Sequence, residues 1–173
     1  MEQLAPSPRS VPRGEWSSHP NYPANLLLLG SHQNFRAINR GLVTHTDALP
    51  PGSDLTWVAR RYKSWIAAMR SHESYEEHKL YPYLKARWGV SLESAQAGHR
   101  ALHEAHDRVL AAFEAHDPEE ASRALLRDEE VLDQHLQLEE DLVIPLLLEL
   151  PRDEFVRFTH LSIRVLLREL GAG

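Results

Sequence analysis

A histidine followed four residues later by a glutamate, with a proline ten residues beyond the histidine, occurs twice in this sequence. The first copy is His72, Glu76 and Pro82; the second, 63 residues on, is His135, Glu139 and Pro145. On an α-helix, four steps of about 100° return a side chain to within roughly 40° of its starting direction. Each copy therefore points an imidazole and a carboxylate the same way, one turn apart. Two such pairs in one register, each closed by a proline, read as two arms of one metal site.

Further polar residues fall on otherwise apolar helical faces. The first helix offers His32 and the third offers His99 and His103, which brings the candidate ligands to seven with His72, Glu76, His135 and Glu139. Seven are too many for one ion. A nitrogen and carboxylate set without sulfur suits iron or manganese, with zinc as an alternative. Two carboxylates from different helices can each bridge two ions, and one bridging oxygen, oxo or hydroxo, then nearly fills two six-coordinate sites. Giving His99, His103 and His135 to one ion and His32 and His72 to the other leaves one open position, on the second ion. The two halves of the chain match, His32 with His99 and His72/Glu76 with His135/Glu139, but Arg36 stands where the second half has His103. A guanidinium has no lone pair to give, so Arg36 is expected to pair with a carboxylate behind the ligands. His106 and Tyr75 are read as neighbours of the ligands, and Glu73, Glu77 and Glu140 as surface acids or acids behind the ligands. His19, His45, His78, His116 and His160 read as solvated bystanders.

The elements that must position these groups are helices. A first helix is predicted over residues 24–47, with Leu28, Leu29, His32, Phe35, Arg36 and Asn39 on or near one face; Pro50, Pro51 and Gly52 stop it. Ser53 or Asp54 can cap a second, along which Trp57, Arg61, Trp65, Ala68, Met69 and His72 recur, and which Pro82 kinks or ends. The third spans 92–115. Asp117, followed by Pro118, Glu119 and Glu120, opens a fourth, whose inner side carries Leu125, Val131, Leu132, Leu138, Leu142 and Leu146. Trp57, Trp65, Phe35 and Tyr83 read as core. The prediction is an all-α, up-down-up-down antiparallel four-helix bundle over residues 24–150. A proline-rich extended arm precedes it (1–23), with Trp16 and Tyr22 against the bundle, and a short fifth helix follows, about 153–170 within the segment 151–173, packed on the bundle.

This ligand order on four helices resembles the hemerythrin-like proteins, the HHE cation-binding family, over about residues 24–150. The resemblance implies a non-haem diiron centre that takes dioxygen or peroxide, with iron ahead of manganese or zinc. One departure bears on reversible oxygen carriage. The oxygen carriers of that family have a histidine and an aspartate five apart on the last helix, whereas this chain has His135 and Glu139 four apart.

Composition narrows the remaining functions. A net charge of −6 lacks the basic footprint that nucleic acid requires. No cysteine is present, which excludes disulfides and thiolate sites and fits a cytoplasmic setting. The apolar run Leu26 to Leu29 is far too short to span a bilayer. Three expectations stand: a carrier, store or sensor of dioxygen; a diiron oxidase, peroxidase or oxygenase working at the same open position; and a regulator whose proline-rich arm is the switch.

Overall fold

The computed structural model describes residues 11–22 and 26–172. The expected start of the first helix at Ala24, and Pro6, Pro8 and Pro23 of the arm, lie outside them. Every regular element among the described residues is helical. Helix α1 runs Leu26–Asp47, α2 Thr56–Tyr75, α3 Tyr81–Trp88, α4 Glu93–Glu114, α5 Pro118–Leu148, α6 Arg152–His160 and α7 Ile163–Glu169. Helix α5 packs along both α1 and α4, and α2 packs against the same two.

Neither proline ends its helix. Between α2 and α3 the chain makes a π turn, Glu76–Leu80, in which the amide of Tyr81 reaches back five residues to the carbonyl of Glu76. Pro82 then takes an early position of α3, where no amide is required of it. Pro145 sits inside α5, which continues to Leu148. The start of α5 is as expected: Asp117 Oδ1 accepts the Glu120 amide at 3.0 Å. The single C-terminal helix expected over 153–170 is two helices, because Leu161 and Ser162 adopt extended backbone.

Ahead of α1, residues Arg13–Ser18 form a 3₁₀ turn rather than extended chain, and Trp16 is buried there. Arg13 reaches α5, donating to Glu140 Oε2 at 2.8 Å and to Asp141 Oδ1 at 2.9 Å. Trp65 and Phe35 belong to the core, but Trp57 and Leu138, expected inside, are exposed.

The apolar interior is divided. One cluster gathers Phe35, Met69, Leu102, Leu132 and Leu136; a second gathers Leu28, Leu80, Ala95, Val143 and Ile144. The break falls at one level on each helix: His32 lies between Leu28 and Phe35, His72 and Glu76 between Met69 and Leu80, His99 between Ala95 and Leu102, and His135 and Glu139 between Leu132 and Val143. A polar layer thus crosses a core that is apolar on both sides.

Candidate metal centre

Unpaired buried polar groups cost several kcal/mol each, so the layer needs an explanation. Six side chains make it: His32, His72, Glu76 and Glu139 offer ligand atoms all within 4.8 Å of one another, and so do His99, His135 and Glu139. Glu139 belongs to both groups. Glu76 also faces both, with Oε1 2.7 Å from His72 Nε2 and Oε2 3.3 Å from His99 Nε2.

Several of the close contacts are not hydrogen bonds. Both oxygens of Glu76, Oε2 of Glu139 and Nε2 of His99 are buried without a hydrogen-bond partner. His32 and His72 bring their Nε2 atoms to 3.1 Å of each other, two nitrogens aimed at one place. Ligand atoms converging on shared points, several of them buried without a partner, are what a pair of cations would satisfy, and the nitrogen and carboxylate donors suit first-row transition metals.

Behind the layer the distal ring nitrogens are held. Glu140 Oε1 lies 3.1 Å from His32 Nδ1, and Glu77 Oε1 lies 2.8 Å from His99 Nδ1. Since a carboxylate accepts, each Nδ1 carries a proton, which leaves Nε2 as the ring nitrogen that can turn a lone pair inward once its own proton is displaced. Tyr81 donates to Glu139 Oε1 at 2.7 Å and stacks on the His99 ring. Arg36 donates to Glu140 Oε1 at 2.7 Å and to Asp133 at 3.1 Å.

The electrostatics follow. Burial and the charge of Glu76 push the Glu139 carboxyl up to about 8. Burial works in the same direction on Glu76, but the imidazoles of His32, His72 and His99 outweigh it and hold that carboxyl well below the usual range. Of the two central acids, one is ionised and the other keeps its proton. Burial also opposes charge on His32, yet Glu140 and Glu76 raise it to about 9. His135, buried beside His99, falls to about 3. Binding a cation here would displace protons.

Not every expected residue joins. His103 is turned outward, its side chain 43% exposed, with Nε2 2.7 Å from Glu73 Oε2. Both groups therefore have two imidazoles, and the three-against-two count that singled out one open ion loses its third member. Glu73, read as a surface acid or one behind the ligands, is buried, with Oε1 unpartnered. Tyr75 is exposed and lines a surface cavity beside His72. His106 is fully buried but faces away from the layer, toward Asp128. Tyr81, Glu77 and Glu140 are the supporting groups whose parts sequence reasoning missed or left open.

A single finding decides the family. The family model of the hemerythrin HHE cation-binding domain matches residues 26–147. The chain belongs to the hemerythrin HHE family. No curated protein and no solved structure is similar enough to the chain to count as a match. The matched segment of this HHE protein contains all six residues of the layer, and it leaves out the 3₁₀ turn, α6 and α7. Among the described residues no helix is long and apolar enough to cross a membrane.

Glu140 is the natural lever on one half of the centre. It holds the His32 ring and is itself held by Arg36 and Arg13; against the effect of burial, His32, Arg36 and Arg13 together bring its carboxyl down to about 2. Glu140→Ala is expected to weaken metal binding about 10- to 100-fold, measured by competition with a chromogenic chelator. Arg13 loses one of its anchors in the same variant, so the bond after Arg13 should become more open to trypsin. Unchanged affinity would mean that Glu140 does not orient His32.

A second buried polar cluster lies apart from the layer. Asn39 donates to Asp128 Oδ2 at 2.8 Å, and His106 Nε2 lies 3.6 Å from Asp128 Oδ1. Burial raises the Asp128 carboxyl to about 6, with Tyr62 and Asn39 pulling against it, and lowers His106 to about 4. The signs oppose. Asp128 binds protons more tightly folded than unfolded, so its contribution to stability falls as pH rises from about 4 to 6. His106 binds them less tightly folded, so its contribution grows with pH from about 4 to 6.5. In Asp128→Asn only the second trend remains. Metal-free Asp128→Asn should gain on the parent by up to about 3 kcal/mol at pH 8 and by little at pH 4, as read by urea unfolding. A gain independent of pH would show that the carboxyl does not titrate there.

Proposed function

We propose that this HHE protein holds two metal ions, iron ahead of manganese or zinc, between helices α1, α2, α4 and α5 arranged as an up-down-up-down antiparallel bundle. His32 and His72 would hold one ion and His99 and His135 the other, with Glu76 and Glu139 shared. The observation that carries the reading is Glu139, whose Oε2 lies 3.5 Å from His32 Nε2 and 3.8 Å from His135 Nε2.

The function that fits is binding of dioxygen or a related oxidant, as carrier, store or sensor. Iron held there supplies the electrons that reducing dioxygen requires. The chain's own groups do the rest: Glu140 and Glu77 fix ring orientation, Tyr81 holds one oxygen of Glu139, and the two apolar clusters exclude water. His72 is the way in. Its side chain is 12% exposed, whereas the other five are 0 to 3% exposed.

A second reading, an oxidase, peroxidase or oxygenase acting on a small substrate, is favoured by one observation. A cavity of about 310 Å³ reaches the layer at His72. Iron analysis, with visible spectra of the reduced protein before and after air, tests both. About two irons per chain and an oxygen-dependent band that bleaches reversibly under nitrogen support binding. A transient band with oxygen consumption supports the enzyme. Absence of stoichiometric metal ends both.

A further inference from the structure

The cavity at His72 has a definite make-up. Leu28 of α1, Leu80 of the π turn and Leu147 of α5 form its apolar walls together with Phe155 and Phe158 of α6; Lys79 and Thr159 also line it. No acidic side chain is among its lining residues. Four other surface cavities are lined by none of the six layer residues.

Two further features make this a fixed site rather than a surface dent. The wall from α6 lies beyond residues 26–147, the extent of the family match, and it is pinned in place: Arg87 holds Glu154 through bonds of 2.7 and 3.2 Å, and Phe158 packs on Tyr83. Lys79 has no carboxylate within ion-pair reach among the described residues. Its ammonium lies 5.2 Å from the centre of the Phe158 ring instead. An ammonium set against an aromatic wall, partly stripped of water, favours an anion.

His72 and Lys79 are seven residues apart on one continuous helical run, roughly 10 Å along its axis at 1.5 Å per residue. A molecule with a carboxylate at Lys79 and an unbranched apolar body of medium acyl length would end at His72.

We propose that this cavity binds medium-chain monocarboxylates, with the carboxylate at Lys79 and the apolar end directed at His72 and the metal layer. The inference rests on the second reading above and gives it a substrate class. A neutral head group would leave Lys79 without a counter-charge. A dicarboxylate would place its second charge among Leu28, Leu80 and Leu147.

Octanoate tests this by isothermal titration against the full chain, iron-loaded and metal-free, with octanol and acetate as comparators. Octanoate should bind both forms and acetate neither. Lys79→Glu and Lys79→Gln should weaken octanoate by about tenfold or more, what one lost charge-assisted contact is worth, while leaving octanol little changed. Thr159→Trp, at the exposed rim where bulk costs the fold little, should reduce both. No octanoate binding, or binding indifferent to Lys79, overturns the proposal. Failure of the enzyme reading looks different: octanoate then binds as expected, and the iron-loaded protein consumes no oxygen in its presence.

Discussion

Replacing Glu139 by alanine is expected to strip both metal ions from the protein, not one. Its Oε2 is the single atom that faces both imidazole groups, and Tyr81 fixes the other oxygen at 2.7 Å. Loss of a ligand held by one ion should leave the second in place, so His32→Ala should bring metal content from about two per chain toward one. Glu139→Ala should bring it near zero. The fold itself should survive. In the metal-free protein Glu139 is a carboxyl that burial and Glu76 push up to about 8, so its removal relieves a buried acid. The discriminating readout is therefore the stabilisation that metal confers. A ligand present at 100 to 1,000 times its dissociation constant adds about 3 to 4 kcal/mol, and Glu139→Ala should lose that gain while its metal-free melting temperature stays within a few degrees of the parent. Equal metal in Glu139→Ala and His32→Ala would contradict the shared role.

Much of this centre was legible because helical spacing is a strict constraint. His32, His72, Glu76, His99, His135 and Glu139 each interrupt an apolar stripe, and a stripe faces one way. The same rule places inside two residues whose position, at the surface or behind the ligands, the sequence left open. Glu73 continues the buried series Val58, Tyr62, Met69, and Glu140 continues Leu132, Leu136 toward Ile144 and Leu147. Each lies one position to the side of a residue of a His-x-x-x-Glu copy, Glu73 after His72 and Glu140 after Glu139. The opposite error placed His103 inside. It lies four residues from His99, but the α4 stripe runs Ala95, His99, Leu102, His106, Val109, which leaves His103 on the flank, where Glu73 meets it.

Tyr81 was not legible at all. Five residues separate it from Glu76, and on an unbroken α-helix that spacing points the two apart. The π turn removes the discrepancy, because residues five apart then share a face, and Tyr81 follows Glu76 inward. Pro82 marks the place without announcing the turn. Pro145 leaves α5 unbroken: a proline costs an interior helix one hydrogen bond and a clash, and the burial of Val143, Ile144, Leu146, Leu147 and Leu148 around it is enough to carry α5 through. The division of the C-terminal helix at Leu161 has no such signal, since the amphipathic pattern continues across the break.

Gly98→Ala is the substitution whose sign the structure reverses. In the middle of a helix, glycine to alanine ordinarily stabilises by up to about 1 kcal/mol, because it restricts the unfolded chain. Gly41→Ala on α1 should behave that way, for nothing lies within 4 Å of the added carbon. At Gly98 on α4 the added carbon would collide with Nδ1 of His135 and sit 3.0 Å from its Cγ. The ring cannot swing clear, since its side chain is only 2% exposed and it packs edge-on against His99. Gly98→Ala should therefore destabilise the metal-free protein by about 1 to 3 kcal/mol, the usual range for forcing extra volume into a packed core. It should also displace His135 from Glu139, taking metal content from two toward one while the His32 and His72 pair keeps its ion. Urea unfolding of the two alanine variants side by side, with metal analysis of each, reads both effects. A Gly98→Ala protein as stable as Gly41→Ala, with both ions bound, would mean that His135 does not need the space that Gly98 leaves.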